Sequence, residues 1–300
     1  MFPMLHERTY DCDGHSLNVA VGPESGPPLV VFHGVLRGWR DFMPLLPSLA
    51  LRWQIFAPDQ RGHGRSPHAA ARYRVVDYVR DAVVLLLDHV PEPAVLYGHS
   101  LGAMVALAAT CQQPDRVRAL ILEDPPFETM GKRLAGTPLH EYFAALRDAT
   151  QKSHESKKRD DEPLDVDALA AALANIPVAA PGGGTTRLGN VRDAASLRFS
   201  ASCLTRLDPD VFEPIVKGRW LIGYDELAPL DRVTCPTLLL QADEAAGGML
   251  VDADAERLAS TLPRCLHVKM AGVGHLIHWT KTEDTLRLVV AFLESLDRSA

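Results

Sequence analysis

A serine set between glycines, Gly98-His99-Ser100-Leu101-Gly102, constrains the fold of this chain more than any other stretch. On its amino side Ala94-Val95-Leu96-Tyr97 reads as a buried strand. On its carboxyl side Leu101–Cys111 (LGAMVALAATC) reads as a helix of small residues able to pack closely on a sheet, with Pro114 stopping it soon after. A cramped strand-to-helix turn fits both flanks. At its apex a serine is forced into a strained backbone conformation that lifts its hydroxyl clear of the sheet.

The same strand-and-helix rhythm runs through the first half of the chain. Glu7 to Val21 alternates around the Asp13-Gly14 turn as a hairpin. Pro28–Phe32 is a continuous apolar strand ending at His33-Gly34, a helix is predicted over Met43–Ala50, and Gln54–Ala57 is the next strand. Asp77–Val90 is strongly helical, and Val117–Leu122 is another buried strand, ending at Glu123-Asp124-Pro125-Pro126. Alternation of this kind predicts a mostly parallel sheet covered on both faces.

The rhythm then breaks. From Phe127 to Leu230 no buried strand is predicted, only helical stretches such as Leu139–Ala149 and Val166–Ala174. Polar or glycine-rich loops separate them, among them the charged run Gln151–Pro163 and Pro181-Gly182-Gly183-Gly184. Strands resume at Thr237–Gln241 and Leu266–Met270, and a helix over Asp284–Leu296 closes the chain. The expected division is a core of residues 1–126 and 231–300 with a helical cap at 127–230. A cap there sits over the carboxyl ends of the strands, where open α/β sheets bind ligands.

Composition narrows the function classes. With 300 residues at 47% hydrophobic content the chain can bury a full core. A net charge of -7 and a pI near 5.9 offer no basic face for nucleic acid or an anionic membrane. Five scattered cysteines without a C-x-x-C argue against a disulfide framework or a zinc site and suit a reducing cytosol. The opening MFPMLHERTYDCDG carries charges where a signal peptide needs an apolar run, and no stretch approaches the roughly 18 apolar residues of a membrane span. The expectation is a soluble cytoplasmic protein acting on a small molecule, with a homodimer left open.

Four segments, in order, resemble the α/β-hydrolase fold superfamily in its lidded, cap-domain branch. They are His33-Gly34-Val35, Asp59-Gln60-Arg61-Gly62-His63-Gly64-Arg65-Ser66, Gly98-His99-Ser100-Leu101-Gly102 and Gly272-Val273-Gly274-His275. The resemblance covers nearly the whole chain apart from the cap. It implies a doubly wound sheet with the cap inserted after the strand that follows the nucleophile helix.

Ser100 is the candidate nucleophile, and a serine at its free pKa needs a positioned base. His275 is the candidate base, since an imidazole near neutrality can take the serine proton and return it to a leaving group. Among the twelve histidines, His33 and His63 read as structural. Gly34, His99 and His278 are candidate substrate-facing residues, although backbone hydrogen bonding for His99 and packing for His278 are the plainer readings. None of these histidines has metal-ligand spacing, and no metal or cofactor is expected.

A carboxylate must orient His275. The resemblance implies one of two places. In the Gly-x-x-Asp loop after the post-cap strand this chain reads Gln241-Ala242-Asp243-Glu244-Ala245, with alanine at the expected position. The other place is the end of the strand after the elbow helix, where Asp124 precedes Pro125 and Pro126. Asp124 is favoured, Asp243 is the alternative and Glu123 the weaker third choice. The oxyanion hole falls to the backbone amides of Leu101 and, by resemblance, Val35; losing one such donor typically costs about 2.7–4 kcal/mol of transition-state stabilisation. Asp59–Ser66 reads as scaffold, with Arg61 and Asp59 tying the loop beneath the site. Arg37, Trp39 and Arg40 can line the entrance, a solvated arginine being the plainer reading.

The leading expectation is a serine hydrolase cleaving a carboxylic ester or lactone through an acyl-enzyme. Serine at the elbow argues against dehalogenase and epoxide hydrolase chemistry, whose lidded relatives attack with aspartate. Amide, thioester or carbon–carbon hydrolysis would use the same residues. The competing class is a protein that keeps the fold and binds a small ligand without turnover.

Overall fold

Asp13 and Gly14, both at left-handed φ (55° and 76°), fold β1 (His6–Cys12) back on β2 (His15–Val21) as an antiparallel hairpin. The hairpin forms one edge of an eight-stranded sheet. In chain order its other strands are β3 (Pro28–Phe32), β4 (Gln54–Pro58), β5 (Ala94–His99) and β6 (Val117–Glu123), then β9 (Thr237–Ala242) and β10 (Cys265–Met270). The spatial order is β1-β2-β4-β3-β5-β6-β9-β10, antiparallel across β1-β2-β4 and parallel beyond. This computed structural model describes residues 5–69, 71–156, 164–180 and 183–297.

The central strands are buried at nearly every position because both sheet faces are covered. Leu29, Val31, Val95, Tyr97 and Ile121 bury on one face, while Val30, Phe32, Leu96, Leu120 and Leu122 bury on the other. The helix Leu101–Gln112 is buried on nearly all sides, and its alanines let it pack against both the sheet and the helix Val75–Val84.

Between β6 and β9 the chain contributes no strand to this sheet among the described residues. It forms the helices Pro138–Glu155, Val166–Ala174, Ala194–Leu204 and Phe212–Val216. Side-chain caps from Thr137, Asp165 and Asp193 begin the first three, each worth about 1 kcal/mol. A small exposed hairpin, β7 (Pro177–Ala179) with β8 (Thr185–Arg187), was not expected from the sequence; three-residue strands carry too little alternation to register. Residues 157–163 of the charged run, and Pro181-Gly182, lie outside the described residues. No helix among the described residues is long and apolar enough to cross a membrane.

Two elements differ from expectation. The helix predicted over Met43–Ala50 is one turn, Leu46–Leu49, preceded by a 3-10 turn at Trp39–Phe42. Pro47 lacks an amide hydrogen and is tolerated only in a first turn, which delays the start. The helix expected at Asp77–Val90 starts at Val75, and its last turn, Leu85–His89, is a π-helix. Strand β10 is an edge strand, with Leu266 half exposed.

Candidate functional site

Ser100 follows β5 directly and sits at φ 56°, ψ −118°, a conformation that costs a non-glycine residue roughly 1–3 kcal/mol. Its amide donates to the carbonyl of Glu123 at 2.9 Å, tying the turn to the end of β6. The two glycines of the motif are needed for space. A Cβ on Gly98 would lie 2.1 Å from the Gly102 carbonyl oxygen, and one on Gly102 would lie 1.9 Å from the Phe32 carbonyl oxygen.

The ends of β3, β5 and β6 and the loop after β10 converge here. His275 Nδ1 lies 2.6 Å from Asp124 Oδ2. Asp124 is fully buried, and its carboxylate also accepts from the amides of Ala242 (3.1 Å), Met249 (2.8 Å) and Leu250 (3.2 Å). Burial alone would raise the Asp124 carboxyl, but the His275 bond and the Met249 and Ala242 amides outweigh it and hold it below the ordinary carboxylate range. An ionised carboxylate only accepts, so Nδ1 of His275 carries a proton, and Nε2 is the acceptor in the neutral imidazole. Asp124 itself sits at φ 45°, and the three amide donors fix its direction.

Asp243 does not meet His275. Its oxygens accept from Ala245 (3.0 Å) and Gly272 (2.8 Å), so it caps its own loop and ties it to the loop after β10. The amides of Val35 and Leu101 find no acceptor among the described residues, whereas neighbouring Leu36 donates to His63 Nε2 at 3.1 Å. His33 locks the same loop from below: its Nδ1 donates to the Gly34 carbonyl at 2.8 Å and its Nε2 accepts from the Gln60 amide at 2.9 Å. Asp59 braces that loop through the Trp39 amide (2.8 Å) and Asn18 (2.9 Å), while Arg61 turns away to form a two-pronged buried pair with Asp81.

A cavity of about 110 Å³ opens on Ser100 and His275. Gly34, Val35, His99 and Arg37 line it from the core, and Phe143, Leu197, Leu204 and Trp220 from the helical segment above. Leu139, Phe199 and Phe212 do not line it, Phe212 being fully buried elsewhere. Trp39 donates to Glu7 Oε1 at 2.9 Å, and Arg40 stacks over the Trp39 ring at the surface. His99 donates from Nε2 to the carbonyl of His275 at 2.9 Å, and burial with two neighbouring imidazoles pushes its pKa down to about 3, so it stays neutral.

His278 does not line the cavity and is corrected as a substrate-facing residue. It is fully buried, its ring stacked on Phe42. Its Nδ1 lies 2.7 Å from Glu123 Oε1 and its amide donates to the same oxygen at 3.0 Å, while Nε2 is 3.5 Å from Asp41 Oδ2. Burial opposes its charge, but the two carboxylates prevail and raise its pKa to about 10. Glu123, which also accepts from the Tyr97 hydroxyl at 2.6 Å, is held down at about 2 against its own burial, first by His278. Sequence reasoning missed this ion pair; the alternation that turns Glu123 away from Asp124 was its one signal. His99, Glu123 and His278 bring potential metal ligands within 4.8 Å of one another, but a protonated His278 has no lone pair to give.

The comparisons agree with this architecture. A family profile for the alpha/beta hydrolase fold matches residues 27–282. The chain is 27% identical over 281 residues to a 2-(acetamidomethylene)succinate hydrolase of Mesorhizobium japonicum, spanning 90% of this chain and 89% of the relative. It is 29% identical over 287 residues to a 2-hydroxymuconate semialdehyde hydrolase of Pseudomonas sp. (strain CF600), spanning 92% and 90%. A crystal structure of E-2-(acetamidomethylene)succinate hydrolase superposes with a TM-score of 0.69 at 26% identity, covering 97% of this chain and 99% of that one. With its mostly parallel sheet, its strained serine turn and a profile match over most of its length, the chain belongs to the α/β-hydrolase fold family of hydrolases.

Proposed function

We propose that this chain is a serine hydrolase that cleaves a small carboxylic ester or lactone through an acyl-enzyme. The observation that carries the reading is the Asp124–His275 hydrogen bond, formed beside a strained serine on one cavity. His275 Nε2 takes the Ser100 proton as Oγ bonds to the carbonyl carbon. The charge that develops on the carbonyl oxygen is met by the amides of Val35 and Leu101. Collapse breaks the acyl–oxygen bond, and the alkoxide leaves with the proton from His275. Water, deprotonated by the same nitrogen, then attacks the acyl-enzyme and frees Ser100.

A second reading, cleavage of an amide or carbon–carbon bond by the same residues, is favoured by the names of the two full-length relatives. An uncharged fluorophosphonate is expected to label Ser100 and to leave Ser100→Ala unlabelled. Labelling elsewhere, or none, overturns the nucleophile assignment. Nitrophenyl esters of graded acyl length, lactones and anilides then separate the two readings by relative kcat/KM.

A further inference from the structure

Two cations face a cavity wall that carries no acid among the described residues. Arg37 and Arg192 both line the cavity holding Ser100 and His275, and no carboxylate side chain among the described residues does. Arg37 is partly compensated: its Nε lies 3.6 Å from Asp41 Oδ1, its Nη1 donates to Ser200 Oγ at 3.3 Å, and its guanidinium sits 5.5 Å from the Phe199 ring centroid. Arg192 is different. It stands just before the helix Ala194–Leu204, and among the described residues its guanidinium has no hydrogen-bond or ion-pair partner. Burial first, with the nearby Arg37 adding to it, pushes its pKa below the ordinary arginine value.

A desolvated guanidinium without a counterion is costly, and a second cation nearby adds to that cost. Both penalties turn into binding free energy when an anion enters, and the planar fork of arginine matches a carboxylate. Asp41 cannot serve as that anion for Arg192. It is fully buried outside the cavity, and its oxygens already face Trp279 (3.0 Å), Arg37 and His278.

We infer that the substrate is an acyl compound with a second, ionised carboxylate, seated against Arg192 and Arg37 while its scissile carbonyl meets Ser100. A half-ester or half-amide of a short dicarboxylic acid has that form. Apolar Phe143, Leu197 and Leu204 would cover the chain between the two ends. The inference rests on the serine-hydrolase reading above.

The test uses two esters that differ in one terminal group, 4-nitrophenyl hydrogen glutarate and 4-nitrophenyl valerate. The wild type is expected to prefer the acid in kcat/KM by at least about tenfold, and Arg192→Leu to reduce the acid-to-neutral ratio roughly 10- to 100-fold, the range of a charge-assisted hydrogen bond. Arg192→Lys should keep part of the preference. A wild type that favours valerate, or a ratio indifferent to Arg192, overturns the inference. Glutarate should also protect Ser100 of the wild type from an uncharged fluorophosphonate, a readout that needs no variant to fold. Labelling without protection removes the anion site and leaves the nucleophile standing; no labelling removes the nucleophile and the anion site with it.

Discussion

Asp124 and His275 stand 151 positions apart in the chain and meet at 2.6 Å, with the carboxylate locked by three backbone amides and the imidazole by one carboxylate oxygen. One partner of the pair is therefore immobile before any substrate arrives. Asp243, the other carboxylate the sequence offered, spends one oxygen on its own loop and the other on the Gly272 amide.

Replacing Asp124 by Asn would let an amide donor face Nδ1 and favour the tautomer that places the proton on Nε2, where it cannot accept from Ser100. Turnover of a nitrophenyl ester is expected to fall roughly 10³- to 10⁴-fold, as in serine-hydrolase triads that lose their acid. Asp243→Asn should change it by no more than a few-fold. Steady-state kcat for the two variants decides, and the opposite ranking would move the acid to position 243.

Much of this was legible because it depends on short-range pattern. Continuous apolar runs at Pro28–Phe32 and Thr237–Gln241 became central strands, and the glycine spacing around Ser100 became the turn. The pairing of Asp124 with His275 was legible only as a preference, since the amides of Met249 and Leu250 that seat Asp124 come from a distant loop. The Glu123–His278–Asp41 cluster was not legible at all. It needs the end of β6, the turn after His275 and the 3-10 turn at Trp39–Phe42 to meet, and no local period encodes that. Arg192 was hidden for the same reason, and Arg37 stood between two readings: whether an arginine is solvated or lines a cavity depends on tertiary packing.

Steric demand at the serine turn gives a second prediction. Gly102→Ala would place a methyl group 1.9 Å from a backbone oxygen of β3, which a side-chain rotation cannot relieve. A loss of about 3 kcal/mol or more is expected, at the upper end of overpacking costs, with activity lost in the fraction that folds. Gly136 supplies the control: it is left-handed (φ 74°) but has nothing within 4 Å, so Gly136→Ala should cost only about 1–2 kcal/mol. Urea unfolding of the two variants compares them directly. Equal losses would mean that the turn relaxes around the added methyl group and that the contact with β3 does not set the requirement.

The buried His278–Glu123 pair predicts how stability depends on pH. His278 has its pKa raised from 6.5 to about 10 in the folded state, so the folded chain holds a proton there that the unfolded chain has released. Its contribution is complete below about 6.5 and declines as pH rises through 10. Glu123, lowered from 4.5 to about 2, contributes fully above 4.5 and loses that contribution as pH falls toward 2. Removing the cation alone is the informative change: His278→Phe keeps an aromatic ring against Phe42 but leaves Glu123 and Asp41 buried without it. At pH 6 this variant should be less stable by about 3–5 kcal/mol, the usual cost of breaking a buried pair. Between pH 7 and 10 the wild type should lose stability more steeply than the variant, so the gap between them narrows. Thermal unfolding followed by circular dichroism at pH 6, 8 and 9.5 measures that gap. A gap that stays constant across the three values would mean that His278 is neutral in the folded chain and that the cluster is held by hydrogen bonding alone.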